Sequence, residues 1–171
     1  MELLEKVLSD DNIENAIKRV RANKGASGID RMNVEELYSY FQEHGNELKE
    51  QIRTRKYKPS PVRRVYIPKE NGDKRGLGIP VVVDRVIQQA IVQILSPIYE
   101  QQFSENSYGF RPKRSCETAI IKLLEYFNDG YTWIVDIDLE KFFDNVCHDK
   151  LISIIMKTIH DGELVSLIRK Y

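Results

Sequence analysis

The segment that most constrains the fold is residues 133–140, where apolar and acidic side chains alternate. One side of the backbone is apolar and the other carries three carboxylates: Trp133, Val135, Ile137 and Leu139 against Asp136, Asp138 and Glu140. A period of two is typical of a β-strand, in which residues on one face follow each other about 7 Å apart. The apolar face can pack on a core, whereas the like charges on the other face repel each other.

Two interpretations of the acidic face remain open from the pattern alone. A bound divalent cation would offset the repulsion, because Mg²⁺ takes oxygen ligands and is often held by one or two carboxylates together with substrate phosphates. An edge strand whose charged face lies in solvent would need no ligand.

The balanced total charge hides an uneven distribution. The 171 residues, 42% of them hydrophobic, are enough for one domain with a sizeable core and room for two lobes. Basic and acidic side chains number 26 each, but residues 51–75 hold 9 basic and 2 acidic side chains, a net charge of +7. This basic belt, residues 51–75, favours a polyanion as partner, although a solvated surface can have the same composition.

The cysteines and the hydropathy of the sequence indicate the cellular compartment in which the protein is expected. Cys116 and Cys147 form neither a metal-binding pair nor a disulfide framework. We recognise no signal peptide, membrane-spanning segment or lipidation motif in the sequence. We therefore expect a cytoplasmic protein without a membrane partner.

Apolar residues at helical spacing predict five helices. The first covers residues 11–22 and ends in a loop with two glycines, residues 23–30, whose backbone either approaches a ligand closely or simply ends the helix. The others begin after Asn33, run from Pro80 to about Leu95, follow Ser115, and follow Asp149.

A basic hairpin is predicted between the second and third helices. Residues 62–67 and 75–79 have strand composition, and Asn71-Gly72 between them is a strong turn signal. The hairpin is either a solvated ribbon or a clamp for a triphosphate. Lys69 and Arg75 would supply the point charge and the forked contact of such a clamp.

Aromatic and basic side chains also interleave in residues 103–114, before the fourth helix. Such a loop suits single-stranded nucleic acid, since rings stack on bases and cations contact phosphates. An ordinary packed loop with exposed arginines is the alternative.

Four motifs, in this order, resemble those of the reverse transcriptases encoded by group II introns, the maturases. They are the loop Asn-Lys-Gly-Ala-Ser-Gly-Ile-Asp at 23–30, the basic hairpin followed by Gly-Ile-Pro at 78–80, Gly-Phe-Arg-Pro at 109–112, and Asp138 followed five residues later by Phe143. The resemblance implies an α+β fold, with the fingers and part of the palm of a right-hand polymerase. Residues 1–114 would form the fingers with an N-terminal extension and lid loop, and residues 115–171 a partial palm. Helices would pack around a small antiparallel sheet with a basic β-hairpin.

The resemblance also assigns roles around the reaction centre. Asp138 would be the catalytic metal ligand and Leu139 would add its backbone carbonyl, with Asp136 as a rival ligand. Lys69 and Arg75 would bind the triphosphate of a dNTP, and the ring of Phe143 would exclude a ribose 2′-hydroxyl.

Two further sets of residues would contact RNA by the same resemblance. The template RNA would contact Asn23, Lys24, Gly25, Ala26, Arg85, Gly109 and Arg111. The intron RNA would contact the basic belt more weakly, at Arg53, Arg55, Lys56, Lys58, Arg63 and Arg64.

The implied activity is RNA-directed DNA polymerisation, in which two Mg²⁺ ions assist the addition of dNTPs to a DNA primer. The family also helps its intron RNA to splice. The family's Tyr-Ala-Asp-Asp turn and thumb are missing from these 171 residues, so we expect this segment alone to be inactive. Uncovered sheet edge and apolar surface would favour a homodimer. The competing hypothesis is a non-catalytic RNA-binding scaffold that keeps the polymerase fold.

Overall fold

The computed structural model describes residues 2–68 and 72–171. Lys69, one of the two predicted triphosphate ligands, lies outside the described residues. The helices and strands are α1 (Leu3–Val7), α2 (Asp10–Ala22), α3 (Leu37–Arg53), β1 (Arg63–Pro68), β2 (Lys74–Ile79), α4 (Val82–Glu100), α5 (Cys116–Asn128), α6 (His148–Thr158) and α7 (Gly162–Ile168). Short 3₁₀ turns cover Val34–Glu36 and Phe143–Asn145. The expected fold class, helices with a small antiparallel sheet, is confirmed.

The chain forms two compact units. The first unit consists of the residues through Leu95 together with His148–Tyr171, and the second unit is Ser96–Cys147. These units reflect packing density along the chain. The division into fingers and palm at residue 114 is a functional one and stays a prediction.

The first unit has a helical core built on α2 and α4. Each helix buries a broad apolar face: Ile13, Ala16, Ile17 and Val20 from α2, and Val82, Val83, Val86, Ile87, Ala90 and Ile91 from α4. The two helices are joined by amide hydrogen bonds, from Asn12 to the carbonyl oxygen of Ala90 (3.1 Å) and from Gln93 to that of Asn12 (3.0 Å). The short helices α1 and α7, which were not predicted from the sequence, add further buried leucines and valines. In the described ranges, no helix combines the length and apolarity that crossing a bilayer requires.

Local capping explains the start of two of the predicted helices. Asn33 opens the turn before α3, as predicted, and the Glu36 side chain accepts a hydrogen bond from the Asn33 backbone (2.9 Å) in a capping box. Ser115 caps α5 in the same way. Two predicted boundaries were wrong. α4 continues past Leu95 to Glu100, with Pro97 in its last turn, and α6 begins at His148, so Asp149 lies inside its first turn.

A buried polar network fixes the segment that leads into the hairpin. The side chain of Asp84, only 3% exposed, accepts hydrogen bonds from the Tyr57 hydroxyl and from the Ser60 backbone (2.8 Å). The hydroxyls of Tyr57 and Tyr171 lie 2.7 Å apart. Burial raises the pKa of Asp84 and that of Tyr57. Breaking these hydrogen bonds would leave buried polar groups without partners, which is energetically costly. The network therefore holds residues 57–60 against α4 and the last residue of the chain.

The predicted hairpin is confirmed. β1 and β2 pair antiparallel, with Ile67 opposite Arg75 and Pro68 opposite Lys74. Gly72 lies in the turn with φ +85°, a conformation that side-chain-bearing residues rarely adopt.

The predicted strand at residues 133–140 was wrong as a sheet element. Among the described residues the sheet has two strands, β1 and β2, and residues 133–139 pair with neither. Trp133 is 92% exposed, and the expected apolar face of α5 is exposed too. An alternating sequence shows which face of a strand would be apolar. It does not show that a second strand lies beside it to form hydrogen bonds, so the pattern alone cannot predict a sheet.

Candidate nucleic-acid interface

Two arginines hold the glycine-rich loop after α2: Arg85 near the start of α4 and Arg63 at the start of β1. The Arg85 guanidinium donates to the carbonyl oxygen of Ala26 and to that of Pro80 (2.9 and 3.0 Å). Arg63 donates from Nε to the carbonyl oxygen of Ser27 (3.0 Å). The first unit therefore brings together five predicted template residues, Asn23, Lys24, Gly25, Ala26 and Arg85.

Close packing in this loop accounts for its glycines. A Cβ atom on Gly28 would lie 2.5 Å from Cα of Val81, and one on Gly25 would lie 2.7 Å from the guanidinium of Arg85. Partial burial lowers the pKa of Arg85, with nearby Arg63 acting in the same direction and Asp30 opposing it. Arg85 thus holds the loop through main-chain oxygens, and its positive charge stays available to a polyanion.

The hairpin presents Arg75 on its second strand. Arg75 is exposed and lies opposite Ile67 in the register. Its predicted partner Lys69 lies outside the described residues, so Arg75 is the one residue of the predicted triphosphate clamp whose position is described.

The acidic segment of the second unit, residues 136–140, leaves its two aspartates free. Asp136 and Asp138 are both exposed, and within the described ranges neither takes part in a hydrogen bond or ion pair. The chain then turns at Lys141 (φ +49°), whose carbonyl oxygen accepts from the backbone of Asp144 (3.0 Å) and Asn145 (3.1 Å). This turn presents the Phe143 ring, which is 82% exposed and lies 5.4 Å from the ring of Phe142.

The donor set of this segment fits Mg²⁺ in kind and supplies part of its coordination. Carboxylate and carbonyl oxygens are the ligands that Mg²⁺ prefers, and Asp136, Asp138 and the Leu139 carbonyl offer them on one short segment. In the described part of the chain, no group of three His, Cys, Asp or Glu side chains is arranged to hold a metal ion. Further oxygen ligands, such as substrate phosphates, would be needed for octahedral coordination.

Arg111 is occupied inside its own loop. Its side chain is 6% exposed, and it donates to the Glu100 carboxylate (2.7 and 3.2 Å) and to the carbonyl oxygens of Ser104 (2.6 Å) and Ser107 (2.8 Å). These hydrogen bonds lower the pKa of Glu100 and raise that of Arg111. Neighbouring Gly109 has open space where a Cβ would be placed. Arg111 was predicted to contact template RNA, and nothing in the sequence pointed to Glu100 as its partner.

The basic belt is partly neutralised by carboxylates distant in sequence. Arg53 pairs with Glu5 (2.8 Å) and Arg55 with Glu163 (2.5 Å), and these hydrogen bonds lower the pKa of both glutamates. The exposed cations of the belt that form no ion pair within the described ranges include Lys56, Lys58 and Arg64. These cations would contribute most to binding a polyanion.

Residues 67–171, more than half of the chain, match the family described as reverse transcriptase (RNA-dependent DNA polymerase). The chain belongs to the reverse transcriptase family. The matched region contains the hairpin turn, the 103–114 loop and the segment from Asp138 to Phe143.

Several of the similar curated proteins have names that refer to introns. "Group II intron-encoded protein LtrA" of Lactococcus lactis subsp. cremoris is 38% identical over 157 residues, covering 91% of this chain and 26% of the relative. "Putative COX1/OXI3 intron 2 protein" of Saccharomyces cerevisiae is 37% identical, covering 91% of this chain and 18% of the relative. "Protein YkfC" of Escherichia coli K12 is 35% identical, covering 98% and 46%. The predicted resemblance to group II intron-encoded reverse transcriptases is confirmed, and the chain spans less than half the length of these relatives.

A solved structure shares the fold. It is described as "Partial Cas6-RT-Cas1--Cas2 complex" and matches with a TM-score of 0.62 at 22% identity, covering 99% of this chain and 28% of that chain. At this identity the likeness supports the fold alone.

Proposed function

We propose that the protein containing this chain synthesises DNA on an RNA template and assists the splicing of a group II intron. The observation that carries the proposal is the family match over residues 67–171, which includes the exposed Asp138 and, five residues later, the exposed Phe143. Relatives described as intron-encoded proteins support the intron part. Residues 1–114 would act as fingers and residues 115–171 as part of the palm.

Each proposed role follows from the chemistry of the side chain. Asp138 and the carbonyl of Leu139 would hold Mg²⁺, with Asp136 as the alternative ligand. Bound Mg²⁺, two ions in the complete enzyme, supplies charge that stabilises the attacking and leaving oxygens of nucleotidyl transfer. Arg75, with Lys69, would orient the triphosphate of the dNTP by charge-assisted hydrogen bonds.

The two RNA partners would contact different sets of residues. Template RNA would contact the loop at residues 23–26 and Arg85 in the first unit and Gly109 in the second unit, and the DNA primer would end at Asp138. Intron RNA would contact the basic belt between Arg53 and Arg64, with Lys56, Lys58 and Arg64 contributing most because they form no ion pair within the described ranges. The exposed apolar side chains of Ser96–Cys147 support self-association into a homodimer as a further proposal.

Nucleotide selectivity tests the proposal. The Phe143 ring would lie under the sugar, so a primer extended on RNA by the longest natural protein that contains this chain should incorporate dNTPs and reject rNTPs. Phe143→Ala should admit rNTPs, whereas Phe142→Ala, which removes the neighbouring ring, should keep the wild-type selectivity. Equal use of dNTPs and rNTPs by the wild type, or unchanged selectivity in Phe143→Ala, would overturn the assignment.

A further inference from the structure

One buried guanidinium shapes residues 101–110, the first part of the connection between α4 and α5. Arg111 spans the loop, with the Glu100 carboxylate at one end and the carbonyl oxygens of Ser104 and Ser107 at the other. Its guanidinium also lies 5.3 Å from the centre of the Phe103 ring. These contacts use most of the donors of the guanidinium, so Arg111 has little capacity left for phosphate.

Phe110, the residue before Arg111, presents a free ring. It is fully exposed (107%) and adopts a left-handed backbone conformation with φ +56°. Bulky residues rarely adopt this conformation, which persists only where surrounding contacts determine it. The next residue in the chain, Arg111, forms the hydrogen bonds that hold this part of the loop.

We propose that Glu100 is a positioning residue of the template-binding surface. It orients Arg111, which fixes the 101–110 loop, and the loop holds the Phe110 ring for stacking on an unpaired RNA base. The ligand is thus a single-stranded RNA base, bound through its π face without regard to sequence. This assignment rests on the proposed function, since it adds a contact for the same template RNA.

Electrostatics alone and the positioning role predict opposite effects on RNA affinity when the charge of Glu100 is removed. Removing a negative charge near a polyanion strengthens binding when the charge acts only through the field. If Glu100 positions the loop, removing the charge weakens RNA binding instead. The sign of the change therefore separates the two roles.

RNA affinity of the 171-residue chain provides the first test, by fluorescence anisotropy with a labelled, unstructured RNA oligonucleotide. Phe110→Ala should weaken binding about five- to hundred-fold, the range for losing one stacked base, and Phe110→Trp should retain it. Glu100→Gln should weaken binding several-fold. Glu125→Gln, which removes the same charge from the exposed Lys122–Glu125 pair on α5, should not weaken it. Binding as tight as wild type in either Glu100→Gln or Phe110→Ala would overturn the proposal.

Amide hydrogen exchange tests the loop without RNA. The backbone of Ser107 donates to the carbonyl oxygen of Ser104 (3.0 Å), and that of Asn106 donates to the Ser104 hydroxyl (3.2 Å). Glu100→Gln and Arg111→Lys should each speed exchange at these amides, with little further effect in the double variant. Unchanged exchange would overturn the positioning role. A wild type that binds no RNA would refute RNA binding in the proposed function and the stacking role of Phe110, while exchange would still decide the role of Glu100.

Discussion

The structure predicts that Gly28→Ala destabilises the protein through steric overlap. A Cβ at Gly28 would lie 2.5 Å from Cα and 2.7 Å from the backbone nitrogen of Val81, the residue before α4. Because these are backbone atoms, no side-chain rotation can relieve the overlap, and the loop must lift from α4. Overpacking of this kind costs about 1–3 kcal/mol. That is a large share of the roughly 5–15 kcal/mol that stabilises an ordinary domain.

Urea unfolding followed by far-ultraviolet circular dichroism measures this cost. With a slope of about 2 kcal/mol/M, the midpoint of Gly28→Ala should fall by about 0.5–1.5 M. Gly25→Ala should cost less, because its close contact is the flexible end of Arg85. Gly162→Ala, with no atom within 4 Å of the added methyl, should unfold no earlier than wild type. A wild-type midpoint for Gly28→Ala, or an equal loss in Gly162→Ala, would refute the reasoning.

Two other features give testable expectations. Tyr57→Phe removes the hydroxyl that donates to the buried Asp84 carboxylate, and urea unfolding should show a loss of about 1–3 kcal/mol; an unchanged midpoint would contradict the network. Because burial raises the pKa of Asp84, its contribution to stability is present below the ordinary value of 3.8 and is lost as pH rises through the raised pKa. The free energy of unfolding of wild type, relative to that of Asp84→Asn, should therefore decline with rising pH. A difference that does not change with pH would contradict a raised pKa for Asp84. RNA affinity measured at several salt concentrations gives the slope of log affinity against log salt concentration. Lys58→Ala should reduce the magnitude of this slope by about 1. Arg55→Ala should reduce it less, because the charge of Arg55 is already paired with Glu163. Equal effects of these two variants would mean that the ion pair does not matter.

Local patterns in the sequence were enough to predict the elements that depend on neighbouring residues. The burial of Ile13, Ala16, Ile17 and Val20 follows from helical spacing, and the hairpin follows from Asn71-Gly72 between two strand-like runs. The capping residues Asn33 and Ser115 were also recognisable from their positions.

Features that depend on distant partners could not be predicted in this way. The alternation from Trp133 to Leu139 predicted a strand, but a strand exists only where another strand pairs with it. The role of Arg111 inside its loop depends on Glu100, eleven residues earlier, and no local pattern marks that pair. In the same way, the buried carboxylate of Asp84 depends on the hydroxyl of Tyr57, which in turn lies beside the hydroxyl of Tyr171.

Magnesium-dependent primer extension on an RNA template tests the central claim most directly. The assay would use the longest natural protein that contains this chain, as wild type and as Asp138→Asn, which keeps the shape of the side chain and removes its charge. RNA binding by both proteins would be measured in parallel as a control for folding. We expect the wild type to extend the primer with dNTPs and Asp138→Asn to bind RNA without extending. Extension by Asp138→Asn, or RNA binding by both proteins with extension by neither, would contradict a catalytic role for Asp138, and the second result would favour a fold kept as an RNA-binding scaffold.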